Sequence, residues 1–316
     1  MNEQIQAYLA FGLITICWGI TFPLIRMSVQ VLTPPQFVML RFGCALLLLS
    51  PLLLYRLNKK GWTVLRDVFP KSFLLGVVSW VSYQTQTLGL QSVEAGRAAF
   101  ITGTSVVMIP LMSPLFGHGK PDKIDLLAAA VALFGLYLLT DPSGQGVVIG
   151  DLWIILCAIF YAVFVHLFQI WIKKNSDAIL VTFSQLLGVF TCSSLLHLTD
   201  HSSLPRMSHQ VLLALGICAL FATVLATILQ TRYQPFLTPE KAALIFSLES
   251  VFASIFGYLI LGEALNPTGI VGCLLIFGSI TGSELYRWRM ARLKSQDPTE
   301  RLYQLEKSRS DRPIIN

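Results

Sequence analysis

The chain has 316 residues, of which 54% are hydrophobic and only 13% are charged, and its mean hydropathy is +0.66. Soluble domains carry about 25% charged residues, and a soluble protein this apolar would expose large hydrophobic patches to water. The composition therefore argues against an ordinary soluble enzyme or binding module and favours a protein whose solvent is the lipid bilayer.

Ten stretches of the sequence are apolar and long enough, at about 20 residues each, to cross a bilayer as helices. They lack the in-and-out alternation of barrel strands. In chain order they are 7–26, 36–56, 71–91, 97–117, 124–140, 151–172, 178–198, 209–231, 241–261 and 267–286. The fifth is the shortest and lies at the lower limit for a span. The first does not read as a cleaved signal peptide, because no Lys or Arg precedes it and no A-x-A-like site follows it.

The basic residues predict the orientation. If the N-terminus is inside, all but four of the 23 Lys and Arg fall in inner loops or in the tail, and cytoplasmic loops are enriched in these residues. The four exceptions are Arg26 and Arg41 within spans and Arg97 and Arg206 on the opposite side. Both termini are therefore predicted in the cytoplasm. Since the charges are spread over many loops, the net charge of +6 does not indicate a nucleic-acid partner.

Six cysteines are present, and all of them fall inside predicted spans. They form no CxxC pair and have no His-rich neighbourhood, so neither a disulfide framework nor a metal site is predicted. No cofactor is expected either.

The fourth and ninth spans match when the chain is shifted on itself by 144 residues. Ala98-Ala99 then falls on Ala242-Ala243, and basic Arg97 falls on Lys241 at the point where each span begins. Five spans is an odd number, so a second copy enters the membrane from the opposite side, as in many secondary transporters. We therefore predict an all-α integral membrane protein with ten transmembrane helices arranged as two inverted five-helix repeats. The boundaries are 1–142 for the first repeat, 143–286 for the second and 287–316 for a basic cytoplasmic tail.

Three segments resemble the EamA family of the drug/metabolite transporter superfamily. Trp18–Phe22 is similar to its W-G-x-x-F opening, Leu40–Phe42 carries an arginine near the start of the second span, and Ala242–Gly278 is similar to its small-residue, "L-G-E" and glycine-spaced pattern. The resemblance covers about residues 7 to 286. Ser250 replaces the usual proline, and His118–Lys120 stands where the first half lacks the "L-G-E" glutamate, which leaves open whether both halves gate equivalently.

The resemblance implies a multi-pass exporter of small metabolites or amino acids in the bacterial cytoplasmic (inner) membrane. Two inverted repeats would surround a central cavity for a small-molecule substrate. A proton gradient or exchange would drive transport, so protons and the lipid bilayer are the other expected partners. Alternating access needs no catalytic motif, and the chain is not expected to be an enzyme.

Three ionisable residues inside spans are candidates for substrate binding or coupling, because a mid-span charge costs about 2.5–3.5 kcal/mol on insertion scales. Glu249 lies near the middle of the ninth span and either binds an amino group or a coupling proton, or is locked to Arg41. Arg41 suits a substrate carboxylate or a structural ion pair. His166 in the sixth span could titrate near neutral pH or serve as a helix contact.

Aromatic and amide side chains suit a cavity that holds a ligand loosely. The candidates are Trp18, Trp80, Tyr83, Gln84, Tyr161 and Tyr258. Trp80, Tyr83, Gln84 and Thr87 share one helical face, which we expect to point into the bundle. At the span ends, Gly262 and Glu263 are candidates for an outer gate, and Arg97 and Lys241 are further gating or structural candidates.

Two other classes of function remain to be weighed. A channel or passive facilitator would equilibrate a solute without uphill transport. A membrane enzyme would gather reactive groups on one face, whereas His118 with Asp122 and His197 with Asp200 fall on opposite sides and lack the spacing of an H-x4-D motif. A carrier is the favoured prediction.

Overall fold

The computed structural model describes residues 3–140, 148–200, 202–263 and 267–296. Within these ranges the chain is helical and contains no strand. The predicted boundary between the repeats falls in 141–147, and most of the predicted tail falls in 297–316. Both lie outside the described residues.

The described part contains fourteen α-helices. In the first half they are α1 Glu3–Gly19, α2 Thr21–Ser28, α3 Pro34–Lys60, α4 Trp62–Gly89, α5 Ala95–Gly103, α6 Ser105–Met112 and α7 Lys123–Thr140. In the second half they are α8 Ile149–Trp171, α9 Ala178–Asp200, α10 His209–Ala219, α11 Ala226–Tyr233, α12 Pro239–Phe246, α13 Leu248–Leu261 and α14 Thr268–Gln296. A π-helical segment, Leu220–Leu225, joins α10 to α11, and 3₁₀ turns follow α6 and α11.

Several of these helices continue one another as single rods. One residue separates α1 from α2, α5 from α6, and α12 from α13. Counted as rods, eight described segments are long and apolar enough to cross a bilayer. They are Glu3–Ser28, Pro34–Lys60, Ala95–Phe116, Ile149–Trp171, Ala178–Thr199, His209–Phe236, Pro239–Leu261 and Thr268–Met290. The chain is therefore a multi-pass, all-helical membrane protein.

The third and fifth predicted spans coincide with α4 and α7, which are not among these eight segments. The C-terminal half of α4 is rich in buried Ser, Thr and Gln, which lowers its apolarity. α7 has 18 residues, and the charged residues Lys123 and Asp125 lie in its first turn. It is therefore short for a span. The sequence predicts ten crossings, and eight are matched by length and apolar composition.

Helices of the two halves interlock through glycine contacts. At Gly76 of α4, a Cβ atom would lie 2.1 Å from the carbonyl oxygen of Gln185 in α9. At Gly272 of α14, it would lie 2.4 Å from the carbonyl oxygen of Gly135 in α7. Such close backbone approach is how helices associate in membranes, where the lipid tails provide no hydrophobic driving force between them. Each contact joins one helix of the first half to one of the second.

Candidate substrate cavity

A cavity lies in the middle of the bundle between the two halves. The space not filled by atoms is about 560 Å³, including the part open to solvent. Its walls come from seven rods or helices, four of the first half and three of the second. The lining residues are Trp18, Thr21, Arg41, Ser79, Ser82, Tyr83, Gln86, Thr102, Cys157, Tyr161, Phe164, Gln230 and Glu249.

The helices are interrupted where they meet the cavity. Trp18 precedes the break between α1 and α2, and Thr102 precedes the break between α5 and α6. Glu249 follows the break between α12 and α13 and lies in the first turn of α13, where a negative charge is favoured by the helix dipole. Irregular backbone at membrane depth is tolerated where it lines a cavity. The breaks thus place polar groups at the centre of an apolar bundle.

Arg41 is buried at the cavity wall and is held by uncharged groups. Its Nε donates to the Thr223 hydroxyl at 2.8 Å and its Nη2 to the Ala222 carbonyl at 3.4 Å. The guanidinium also lies over the ring of Tyr83, 5.2 Å from the centroid. Within the described part of the chain, no carboxylate lies at ion-pair distance from Arg41. The side chain is therefore fixed while its positive charge stays available to the cavity.

The π-helical segment supplies the acceptors for this arrangement. The Ala222 carbonyl receives the indole Nε1–H of Trp18 at 3.0 Å in addition to Arg41. The Thr223 hydroxyl in turn donates to the Cys218 carbonyl at 2.8 Å. Widened helical turns of this kind are frequent at functional sites. Here the turn ties two helices of the first half to one of the second.

Glu249 brings a carboxylate to the opposite wall. Among the described residues it makes no hydrogen bond or contact ion pair, and Arg41 is the positive group whose field acts on it. The neighbouring hydroxyls do not serve it, because Ser247 donates to the Leu244 carbonyl at 2.6 Å and Ser250 to the Ala99 carbonyl at 2.8 Å. The cavity thus holds one carboxyl group and one guanidinium group, contributed by different halves.

An aromatic wall lies beside these charges. The rings of Trp18 and Tyr161 meet edge to face at 6.1 Å, and Trp18 also packs on Phe246 at 5.0 Å. The Tyr161 hydroxyl and the Ser82 hydroxyl are buried without a hydrogen-bond partner in the structure. Buried polar groups nearly always have partners, so both hydroxyls point to water or to a ligand in the cavity.

Of the nine residues predicted for substrate binding or coupling, five line the cavity together: Trp18, Arg41, Tyr83, Tyr161 and Glu249. Trp80 and Gln84 do not line it. The α4 residues that do are Ser79, Ser82, Tyr83 and Gln86, which repeat the predicted spacing one residue earlier in the helix. Gln84 is buried elsewhere, and its amide oxygen has no partner.

His166 and Tyr258 lie away from the cavity. His166 is fully buried, with Nε2 at 2.9 Å from the Ile109 carbonyl and Nδ1 at 3.2 Å from Nδ1 of His118. Tyr258 lies on the outside of α13 with 52% of its surface exposed. No cluster of three or more His, Cys, Asp or Glu suited to a metal ion occurs among the described residues.

Glu263 closes a junction at the predicted outer end of the bundle. Gly262 adopts a left-handed conformation (φ 67°) after α13, and its N–H donates to the Tyr258 carbonyl at 3.1 Å, the single bond of an αL cap. The Glu263 carboxylate then accepts from the backbone N–H groups of Ala95 and Gly96 at 3.0 and 3.2 Å. It also receives Arg26 Nη1 at 2.6 Å. Three rods therefore meet at one carboxylate.

The two basic residues that the repeat aligns have different partners. Arg97 forms a bidentate pair with Asp151 at 2.8 and 2.6 Å, which joins the start of α5 to the start of α8. Lys241 pairs with Glu284 of α14 at 3.1 Å and approaches the Tyr8 hydroxyl at 3.4 Å. The first pair lies at the same end of the bundle as Glu263, and the second at the opposite end.

Comparison with known proteins places the chain among transporters. An uncharacterized transporter of Archaeoglobus fulgidus is 32% identical over 274 residues, which covers 87% of this chain and 84% of the relative. An uncharacterized transporter of Bacillus subtilis is 25% identical over 286 residues, covering 88% and 91%. A solved crystal structure shares the fold with a TM-score of 0.71 and 18% identity, covering 91% of this chain and 99% of that one.

The model of the EamA-like transporter family matches the chain twice, over residues 5–141 and 148–283. The two matches follow one another and leave only short segments uncovered, so they describe a two-repeat architecture. This chain belongs to the EamA-like transporter family.

Proposed function

We propose that the chain is a secondary carrier that exports small polar metabolites, with amino acids or related compounds as the expected substrates, by alternating access. The observation that carries the proposal is the central cavity. It is built by both halves and holds Arg41 and Glu249 without a contact ion pair between them. A site made of two bodies can be opened on one side or the other by moving those bodies.

The charges support a zwitterionic ligand. A substrate ammonium group suits Glu249, and a substrate carboxylate suits the guanidinium of Arg41, because charge-assisted hydrogen bonds are stronger than neutral ones. The aromatic wall and the unpartnered hydroxyls of Ser82 and Tyr161 suit the remaining part of a small molecule. In this proposal Glu249 takes up a proton when the substrate ammonium leaves, so the carboxylate links substrate to proton. Exchange of one substrate for another uses the same site without the proton.

Export by alternating access also implies a topology, which we propose as ten crossings by two inverted five-helix repeats in the bacterial cytoplasmic membrane. α4 and α7 would be the third and fifth crossings. Both termini would then lie in the cytoplasm, as the distribution of Lys and Arg favours. The junction of Glu263 with Arg26 and α5, together with the Arg97–Asp151 pair, would hold the outer end closed.

Uptake into proteoliposomes tests the proposal. A panel of labelled amino acids and metabolites is offered with and without an imposed pH gradient, to the natural protein and to Glu249→Gln. Glu3→Gln is the matched control, because Glu3 is an exposed carboxylate in the first turn of α1. We expect saturable, gradient-driven accumulation that Glu249→Gln abolishes and Glu3→Gln retains.

Three results would change the proposal. Accumulation unchanged by Glu249→Gln would keep the carrier and remove Glu249 from its centre. Accumulation that is saturable but indifferent to the pH gradient would favour exchange. Equilibration without uphill accumulation would favour a passive facilitator or channel.

A further inference from the structure

A second group of ionisable side chains lies at the predicted cytoplasmic end, outside the cavity. His166 of α8 contacts two points near the cytoplasmic end of the fourth predicted span, the Ile109 carbonyl and the ring of His118. The ring of Phe116 stacks on His166 at a centroid distance of 4.7 Å and an interplanar angle of 7°. We refer to His118 and His166 as the histidine pair. It joins the turn after the 3₁₀ segment Ser113–Phe116 in the first half to α8 in the second.

The hydrogen bonds fix where the protons are. A carbonyl oxygen can only accept, so Nε2 of His166 carries the hydrogen that points to Ile109. In a neutral ring, Nδ1 of His166 is then an acceptor, and Nδ1 of His118 must donate to it across 3.2 Å. The pair can therefore hold this contact while neutral, or with one added proton on the outer nitrogen of His118. One added proton on His166 is also tolerated, because neutral His118 can then accept at Nδ1 as the Nε2–H tautomer. Only when both rings are protonated do two N–H groups face each other and break the contact.

Other contacts at the same end connect the pair to the cavity. Gln230 lines the cavity and donates to Gln234 at 2.8 Å, and Gln234 donates to the carbonyl of Val165, the residue before His166, at 3.2 Å. On the other side, Ser113 donates to Glu240 of α12. The cytoplasmic ends of the fourth, sixth, eighth and ninth predicted spans are thus tied together by polar contacts.

Few ionisable groups in the described part of the chain act on His166. His118 and Glu240 are the ionisable groups that act on His166. The ionisable residues that α4 contributes at this end, Arg66, Asp67 and Lys71, are not among them. α6 carries no ionisable side chain. Lys120, Asp122 and Lys123 follow His118 in the chain. A doubly protonated pair would therefore repel itself, and Glu240 is the negative group that acts on His166.

We propose that the histidine pair is a proton-binding latch that holds the cytoplasmic end of the cavity closed and releases it when both rings are protonated. The latch rests on the proposed alternating access, since the two halves must separate at this end for substrate to enter. It differs from the outer junction, where Glu263 accepts from two backbone N–H groups and an arginine and none of these contacts involves a histidine. Acid on the cytoplasmic side would then expose the cavity to the cytoplasm.

The access of a reagent to Cys157 tests the latch without a known substrate. Cys157 lines the cavity, and the other five cysteines would be replaced by alanine. A membrane-impermeant methanethiosulfonate is added to inside-out vesicles between about pH 8 and about pH 5, the interval over which histidine titrates. Acid alone slows this labelling because the thiolate is the reactive form. Opening that takes up two protons increases by up to about a hundredfold per pH unit. After the tenfold loss of thiolate over the same interval, we expect labelling to accelerate by up to about tenfold per pH unit.

Variants separate the latch from a general effect of acid. His118→Ala and His166→Gln should label rapidly already at neutral pH and lose the acceleration. His209→Gln, which alters an exposed histidine at the start of α10, should behave as the unaltered pair does. Labelling that slows in acid as the thiol chemistry predicts, or an acceleration that survives both latch variants, would overturn the latch and leave the carrier standing. A Cys157 that reacts from neither side at any pH would overturn alternating access at this cavity, and the latch with it.

Discussion

Trp18 and Arg41 reach the same backbone carbonyl, that of Ala222, from two helices of the first half. The sequence indicates both residues as candidates, because a charge within a span is costly and an aromatic side chain suits a ligand cavity. It does not indicate their partner. A carbonyl freed by a π-helical turn has no signature in residue type, so Ala222 and Thr223 could not have been named before the structure. The cost of burying a group can be read from sequence, whereas the backbone that offsets this cost cannot.

Asp177, outside the membrane, is another residue whose partners the sequence does not indicate. It sits in the connection before α9, and its carboxylate accepts from the N–H groups of Ile179 and Leu180 at 3.1 and 3.4 Å. Lys60 Nζ lies 2.7 Å from the other oxygen and Arg56 3.9 Å. Burial alone would raise the pKa of Asp177, but the hydrogen bonds from Lys60 and Leu180 and the charges of Lys60 and Arg56 outweigh it and lower the pKa.

The lowered pKa predicts how stability depends on pH. The folded form binds the proton less tightly than the unfolded form, so the stabilisation is complete above about pH 4 and is lost as the pH falls through the folded pKa. We expect Asp177→Asn, which keeps an acceptor for the helix N-terminus, to cost about 1 kcal/mol at neutral pH. Thermal unfolding in detergent should show this gap at pH 7 and a smaller gap in acid. Asp67→Asn, at an exposed carboxylate of α4, is the control, and an equal gap at both pH values would contradict the assignment.

In α4, hydrophobic periodicity predicts that polar residues face the bundle interior, but it does not predict which of them line the cavity. The predicted polar face runs through Trp80, Tyr83, Gln84 and Thr87, whereas the cavity is lined by the face that begins at Ser79. Both faces are polar and share Tyr83, and both are buried among other helices. Hydrophobic periodicity identifies the side that faces lipid. It does not distinguish two interior faces that are one residue, or about 100°, apart.

The breaks within rods are a second feature of elements that the sequence did not reveal. The segments 7–26, 97–117 and 241–261 were predicted as continuous helices, and each is interrupted by one residue near the cavity. The interrupting residues are Ile20, Thr104 and Ser247, none of which is a proline or glycine. Gly19 and Gly103 directly precede the first two breaks, and glycine weakens a helix, whereas no glycine or proline adjoins Ser247.

The junction at Glu263 yields a prediction about the outer end. Glu263→Gln keeps the size of the side chain but removes the charge that Arg26 and the N–H groups of Ala95 and Gly96 bind. Hydrogen bonds to charged groups contribute about 1.5–3 kcal/mol each, and about 1.4 kcal/mol is a tenfold change in an equilibrium. We expect impermeant labelling of Cys157 in right-side-out vesicles to rise by about tenfold.

Two further variants test whether the faster labelling comes from loss of the Glu263 contacts. Arg26→Gln should raise the labelling in the same direction, because it removes the cation from the same carboxylate. Glu3→Gln should leave it unchanged. If Glu263→Gln labels no faster than the parent while remaining folded, the junction is a packing contact and not a gate.

At the scale of the whole molecule, the family resemblance is confirmed, as are the all-helical membrane fold and its two repeats. Composition and a few motifs sufficed for this, because lipid permits few architectures and spans need long apolar runs. The side-chain contacts at the two ends of the bundle do not follow from the repeat. The repeat aligns Arg97 with Lys241, yet the first binds Asp151 across the halves and the second binds Glu284 within its own half. Side-chain partners have diverged where the fold has not.

The number of crossings is the remaining prediction at this scale, and two loops decide it. With ten crossings and the N-terminus inside, the loop with Ser92 lies outside and the loop with Lys120 lies inside. If α4 and α7 do not cross, these two loops exchange sides, while the connection with Asn175 stays inside in both cases. Single cysteines at exposed Ser92, Lys120 and Asn175 in a cysteine-free background therefore separate the two topologies.

Ten crossings predict that an impermeant maleimide labels position 92 in intact cells, and positions 120 and 175 only in inside-out vesicles. The physical ground is that the Ser, Thr and Gln residues in the C-terminal half of α4 are buried within the bundle, and that Gly135 of α7 packs closely on α14. Position 175 controls for vesicle orientation. Labelling of position 120 in intact cells, with position 92 protected, would mean eight crossings. The second half would then no longer be an inverted copy of the first, and a cavity that opens alternately by their relative motion would lose its basis.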